Sequence, residues 1–93
     1  MTYHGEYKVP GGKLVVVDFD IVDDRFANLR ITGDFFVFPE DALPALAKSL
    51  EGMAIDTPAN DLQVRMNQAL GNDVELLGFG LIDVVSAIRR ALA

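Results

Sequence analysis

Two lysines around a glycine-rich turn form the first segment of this sequence whose residue types could do chemistry. Lys8 and Lys13 flank a stretch that contains Pro10, Gly11 and Gly12. Glycine permits positive φ and proline fixes φ, so the stretch predicts a tight turn. The N–H groups of the turn and both ammonium groups could then face one anion, such as a phosphate or a carboxylate. The alternative is a plain hairpin whose lysines serve solubility.

A second segment, from Gly33 to Phe38, is unusually aromatic. It opens with Gly33, Asp34, Phe35 and Phe36, and three phenylalanines fall within four residues. Three such rings are too many for one small core if all of them point inward. We therefore expect Gly33, Asp34, Phe35 and Phe36 to form an interface with a partner, because aromatic side chains are enriched at interfaces. The alternative is a corner of the core that joins sheet to helix.

The remaining polar residues assemble neither a catalytic nor a metal site. His4 has no serine or cysteine partner at a recognisable spacing, so we interpret it as a solvated or capping residue. The aspartates between Asp18 and Asp24 lack the glycine and the distal glutamate of an EF-hand, which favours a strand's solvent face running into an acidic turn. Gly78-Phe79-Gly80 lacks the third glycine of a phosphate loop and predicts a helix-entry turn. The sequence therefore predicts no catalytic residue and no metal ligand.

Length and charge restrict the class of protein. With 93 residues there is room for one domain, taken as residues 1–93. Hydrophobic residues make up 51% of the sequence and charged residues 24%, which is typical of a globular chain rather than a disordered one. The 8 basic and 14 acidic residues give a net charge of −6, which argues against nucleic acid and anionic membranes as partners.

Cysteine usage and hydropathy exclude further classes. Cysteine is absent, which removes disulfides, thiol catalysis and thiolate metal sites. No apolar run approaches the roughly 18 residues that a membrane span needs, and the first residues show no signal-peptide pattern. We therefore expect a cytoplasmic protein.

Hydrophobic periodicity predicts three strands and then three helices, which position the two segments. The strands are expected at 6–9, 13–21 and 26–33, and their connections are too short for crossover helices, so they form an antiparallel meander. The buried faces are expected to carry Val15, Val17, Phe19 and Ile21 in the second strand, and Ala27, Leu29 and Ile31 in the third.

After Pro39 the period of the hydrophobic residues becomes helical. The helices are expected from near Asp41 to Leu50, from a Thr57 cap to Leu70, and over 81–92. Pro44 would break a helix that began at Pro39, so the first helix starts nearer Asp41 or is locally distorted. Residues 72–79 form either a short strand or an extended connection. The predicted fold class is α+β, β-β-β-α-α-α, with the helices packed on one sheet face.

The two segments also carry a family resemblance. The run from His4 to Val15, followed by Ile31-Thr32-Gly33-Asp34-Phe35-Phe36 and Pro39-Glu40, resembles the accessory domain of lipoate–protein ligases. In that family the domain is either fused to the C-terminus of the catalytic domain or made as a separate small subunit. The resemblance is strongest over residues 4–52, and this chain has the size of the separate subunit.

The resemblance implies a non-catalytic subunit of a two-chain ligase. The family joins lipoate to ATP to give lipoyl-adenylate, and a lysine of a carrier domain then takes the lipoyl group. It implies that this chain binds no cofactor alone, and that ATP and lipoate are bound through the catalytic subunit. Lys8, Lys13 and the Gly11-Gly12 turn are then expected to face that subunit near its nucleotide pocket.

A second hypothesis from a different class stays open at this point. The chain would be a protein-binding or regulatory module that recognises a lipoyl or biotinyl carrier domain, or a ligase, without a role in adenylation. The exposed face or an edge of the sheet is the expected interface in either case. The sequence leaves self-association open.

Overall fold

The computed structural model describes residues 2–93, which form a three-stranded sheet, a two-stranded sheet and three helices. In chain order the elements are β1 (Thr2–Lys8), β2 (Leu14–Val22), β3 (Arg25–Gly33), β4 (Phe36–Phe38), α1 (Ala42–Ser49), α2 (Ala59–Ala69), β5 (Glu75–Leu77) and α3 (Leu81–Leu92). The predicted α+β fold, with a meander followed by three helices, is confirmed.

The first three strands pair in the order β1-β2-β3, and both pairs are antiparallel. Val15, Val17 and Phe19 point into the core, as the alternation predicted. β1 begins at Thr2, earlier than the expected residue 6, because Thr2 already pairs with Asp20. The polar residues at the start of β1 hide this pairing from a search for apolar alternation.

A bulge in β3 overturns one detail of the predicted pattern. Asn28 has a φ of +53°, and the pairing shifts so that Asn28 and Leu29 together oppose Phe19. The extra residue shifts the alternation by one, so the side chains before the bulge exchange faces of the sheet. Phe26 rather than Ala27 is therefore buried with Leu29. The expectation that Ala27 shares the core face was wrong for this reason.

The helices cover one face of the sheet, as predicted. α3 contacts β1 and β2, α1 contacts β3, and α2 packs against both helices. Gly5 allows the close approach of α3, since a Cβ at this position would lie 2.2 Å from the carbonyl oxygen of Ala87. The core consists of apolar residues from both layers: Val15, Val17, Phe19, Phe26, Leu29, Ile31, Phe35, Val37, Ala42, Leu46, Ala47, Leu50, Leu62, Met66, Phe79, Val84, Val85, Ala87 and Ile88.

The observed helix limits confirm that the first helix starts near Asp41, and they show that the predicted Thr57 cap of the second helix was wrong. α1 begins at Ala42, so Pro44 lies in the first turn, where a missing N–H costs no intrahelical bond. The Thr57 hydroxyl donates to the carbonyl of Ala54, and α2 begins only at Ala59, so Thr57 is not its cap. None of the helices within residues 2–93 is long and apolar enough to cross a membrane.

The segment 72–79 resolves into a strand with connections. β5 pairs antiparallel with β4, and Phe36 lies opposite Leu77. This pairing holds the aromatic segment beside the entry to α3.

Candidate functional site

The lysine hairpin is fastened to a loop from the other end of the chain. Val9 N–H donates to the Lys13 carbonyl at 3.0 Å, and Gly12 N–H donates to the Val9 carbonyl at 2.8 Å. Lys13 N–H donates to the Gly78 carbonyl at 3.0 Å. A Cβ on Gly12 would lie 2.7 Å from that same Gly78 oxygen, so glycine is needed for the close approach. The hairpin tip is therefore held by the β5–α3 connection.

The two lysines are both exposed, but they are used differently. The Lys8 ammonium donates to the Gly12 carbonyl and so braces its own hairpin. The stem of Lys13 lies over Gly78, where a Cβ would come within 2.5 Å of Cγ. Within the described part of the chain, the Lys13 ammonium donates no hydrogen bond and has no carboxylate within 4.0 Å. Lys13 is thus the cation that remains available to an anion.

Gly33 and Asp34 join the aromatic segment to the same hairpin. The Asp34 carboxylate accepts the N–H of Leu14 at 2.8 Å, directly after Lys13. A Cβ on Gly33 would lie 2.2 Å from the Leu14 carbonyl oxygen and 2.5 Å from the ring of Phe35. The structure therefore brings together the two segments singled out in the sequence, Lys8–Lys13 and Gly33–Phe36.

The aromatic segment divides into a buried half and an exposed half. Phe35 is buried and stacks on Phe79 with ring centroids 4.0 Å apart. Phe36 and Phe38 are 62% and 51% exposed and stack at 6.5 Å, and Leu77 beside them is 46% exposed. We call Phe36, Phe38 and Leu77 the aromatic patch.

Part of the aromatic patch was missed from the sequence. Phe38 was not among the predicted interface residues, although it alternates with Phe36 along β4 and so shares its face. Leu77 carried no signal, because its place depends on the pairing of β5 with β4. Phe35, which was predicted for the interface, is instead a core residue that supports the patch.

The open face of the sheet carries a histidine held between two carboxylates. His4 Nδ1 lies 2.6 Å from Asp18, and Nε2 lies 2.7 Å from Glu6. Hydrogen bonds to Glu6 and then to Asp18 raise the pKa of His4 above its ordinary value of 6.5. His4 is therefore exposed to solvent, as expected, and in addition links β1 to β2 through Asp18. Over residues 2–93 no three His, Cys, Asp or Glu side chains are grouped as metal ligands.

Comparison with known proteins points to one system. No family model matches the chain. "Lipoate-protein ligase A subunit 2" of Thermoplasma acidophilum is 38% identical over 56 residues, which are 60% of this chain and 58% of that relative. The match thus spans less than two thirds of the relative's length.

A solved structure matches over nearly the whole fold. It is described as an archaeal lipoylation system, a bipartite lipoate protein ligase and its E2 lipoyl domain from Thermoplasma acidophilum. The matched chain is 28% identical, with a TM-score of 0.77 over 96% of both chains. The resemblance predicted from the hairpin and the aromatic segment is therefore confirmed: this chain is similar, in sequence and fold, to components of a two-part lipoate–protein ligase.

Proposed function

We propose that this chain is a non-catalytic accessory subunit of a two-chain lipoate–protein ligase in the cytoplasm. It acts with a catalytic subunit, which binds ATP and lipoate and forms lipoyl-adenylate. The observation that carries the proposal is the similarity to subunit 2 of the archaeal ligase, which is 38% identical over 56 residues. The fold similarity over 96% of the chain supports it.

The surface proposed to meet the catalytic subunit consists of the lysine hairpin and the aromatic patch. Both lie at the end of the sheet where residues 8–13, 33–38 and 77–79 converge. Exposed aromatic rings beside a rim of cations are typical of an interface core and its edge. The patch supplies apolar area for binding, and the hairpin supplies positive charge in a chain whose net charge is −6.

In this proposal Lys13 is the residue of this subunit that assists adenylation by the catalytic subunit. The turn holds its backbone rigidly through the bond to Gly78, while its ammonium stays exposed. A fixed cation beside a nucleotide pocket would offset the negative charge that builds up as pyrophosphate leaves. Lys8 contributes indirectly, because its ammonium braces the turn that presents Lys13.

The test is lipoyl-adenylate formation by the catalytic subunit with and without this chain. We expect activity only with both present, and a loss of about tenfold for Lys13→Ala, as for removal of one stabilising charge. Arg65→Ala is the matched control, since it removes one exposed positive charge from α2, away from the hairpin.

The outcomes separate the parts of the proposal. An equal rate without this chain would reject the accessory role. Full activity of Lys8→Ala and Lys13→Ala, with the chain still required, would reject only the role of the lysines. Binding of a lipoyl or biotinyl carrier domain in the absence of the catalytic subunit would instead favour a carrier-recognition module.

A further inference from the structure

β3 is an edge strand of the three-stranded sheet, and among residues 2–93 the covering contacts are confined to its first half. Phe26 N–H donates to the Met53 carbonyl at 3.0 Å, and Gly52 N–H donates to the Phe26 carbonyl at 2.9 Å. The Glu51 carboxylate then accepts the N–H groups of Asn28 and Leu29 at 2.8 and 2.9 Å. Covering the strand in this way protects an edge from unwanted pairing.

The second half of the β3 edge lacks such a cover. Because Leu29 N–H points outward to Glu51, the two-residue alternation of a strand turns the N–H groups of Ile31 and Gly33 outward as well. In the described chain neither group donates to a loop or to a side chain. Two backbone donors are therefore open to a further strand.

A groove runs along this open edge, between β3 and α1. Its volume is about 440 Å³, and its apolar lining includes Leu29, Ile31, Leu43, Pro44 and Ala47. Lys48 stands at its side, with no carboxylate within 4.0 Å among the described residues. An open strand edge next to an apolar helix face is the arrangement in which domains bind an extended peptide by strand addition.

The groove is also continuous with the aromatic patch. Leu43 lines the groove and, on its other side, the hollow formed by Phe36, Phe38 and Glu40. A segment that leaves the groove past Leu43 therefore reaches the patch directly. Any partner seated on the patch is placed to send a strand along β3.

We propose that an extended segment of the catalytic subunit adds to β3 as a fourth strand, with an apolar side chain in the groove and an acidic side chain facing Lys48. This inference rests on the proposed function, because it takes the catalytic subunit as the occupant. Backbone bonds to Ile31 and Gly33 would supply affinity, and the groove and Lys48 would select the sequence of the added strand.

Amide hydrogen exchange of this chain, alone and with the catalytic subunit, tests the inference. We expect the amides of Ile31 and Gly33 to slow by about tenfold or more in the complex, since new hydrogen bonds protect them. Phe26 and Leu29 are internal controls, because their N–H groups are already bonded within the chain. A complex that forms without slowing Ile31 would overturn the inference and leave the proposed function intact.

A pair of charge reversals adds a second measurement. Lys48→Glu is expected to weaken binding of the catalytic subunit about fivefold or more, as for a charge in direct contact. Arg65→Glu makes the same change in net charge on α2 and is expected to stay within about twofold. If both variants weaken binding equally, Lys48 acts only through the net charge of the chain, and the proposed contact between Lys48 and an acidic side chain is overturned.

Two other outcomes would also reject the catalytic subunit as the occupant of the groove. Slow exchange of Ile31 in the isolated chain that grows with its concentration would assign the groove to a second copy and reject the catalytic subunit as occupant. Failure of the two chains to bind at all would reject the proposed function together with this inference.

Discussion

The two ends of the three-stranded sheet are both closed by hairpins, but the two hairpin turns are stabilised by different kinds of contact. At one end, which we call the acidic end, Asp23 and Asp24 form a two-residue turn with φ values of +52° and +61°. The sign of both angles is that of a type I′ turn, whose twist suits a hairpin without outside help. Within residues 2–93 the turn itself makes one backbone bond to another segment, from Ile55 N–H to the Asp24 carbonyl at 2.9 Å, and Phe26 beside it makes two more, with Gly52 and Met53.

The other end, the glycine end, depends on segments that are distant in the chain. Its turn at Pro10-Gly11-Gly12 is bonded to Gly78, and Asp34 holds Leu14 beside it. Close backbone contacts at Gly12 and Gly33 leave no room for side chains, and the exposed aromatic patch lies next to them. A turn whose conformation suits the hairpin by itself tolerates substitution of its residues. A turn that is held by three segments of the chain has a fixed shape and so presents a fixed surface. This difference is why we place the interface at the glycine end.

The largest effect is expected from adding a methyl group at each end. Gly33→Ala would place a Cβ 2.2 Å from the Leu14 carbonyl oxygen, and we expect a loss of about 3 kcal/mol in the free energy of unfolding. Gly52→Ala, beside the acidic end, meets nothing within 4 Å and suffers only from its φ of +80°, at about 1 kcal/mol. Denaturant unfolding measures both. Equal losses would show that the glycine end is no more constrained than the acidic end.

The next effect separates binding from stability. Phe36→Ser removes a ring that is 62% exposed, so we expect little change in stability but about tenfold weaker binding of the catalytic subunit. Val22→Ser is the matched control, because Val22 is 57% exposed beside the acidic turn. A binding titration of both folded variants gives the comparison. If Val22→Ser weakens binding as much as Phe36→Ser does, the interface is not confined to the glycine end.

A smaller gain is expected at the acidic end. Asp24→Gly creates an Asp-Gly turn, which suits a position with a φ of +61°, and should raise the free energy of unfolding by about 0.5 kcal/mol. The activity of the reconstituted ligase should not change, since this end is not proposed to meet the catalytic subunit. A loss of activity at unchanged stability would contradict that assignment.

The sequence predicted most of the elements because their signals are local. The strand β2 shows its alternation at Val15, Val17 and Phe19, and the helices after Pro39 show their period over a few turns. Each pattern can be recognised within a short stretch of sequence. The hairpin and the aromatic segment were also found, because glycine and phenylalanine are concentrated there. Their convergence could not be read from composition alone.

What escaped prediction depends on partners distant in the chain. The bulge at Asn28 is held by Glu51, and the exposure of Leu77 follows from the pairing of β5 with β4. The open half of the β3 edge likewise becomes visible only when the residues that cover the first half are known. Such contacts leave no period in the sequence, so a single chain without its fold does not reveal them.

The smallest expected effect concerns the sheet between the two ends, where His4 links β1 to β2. Both ring nitrogens lie within hydrogen-bond distance of carboxylates, and only the protonated ring can donate to both. Arg30 of β3 lies opposite Asp18 in the register of the sheet and is the cation that faces this group from the neighbouring strand. Because the bonds to Glu6 and Asp18 raise the pKa of His4, the folded chain binds this proton more tightly than the unfolded chain.

The sign of the pH dependence follows from that raised pKa. The stabilisation is complete below the ordinary value of 6.5 and is lost as the pH rises through the higher pKa of the folded state. The difference in melting temperature between the wild type and His4→Gln should therefore be larger near about pH 6 than near about pH 8.5. A difference that is constant, or that grows with pH, would mean that His4 does not donate to both strands. A constant difference would mean that β1 and β2 are joined at this position by the backbone ladder alone. In the predicted case the side-chain link between these strands strengthens as the histidine gains its proton.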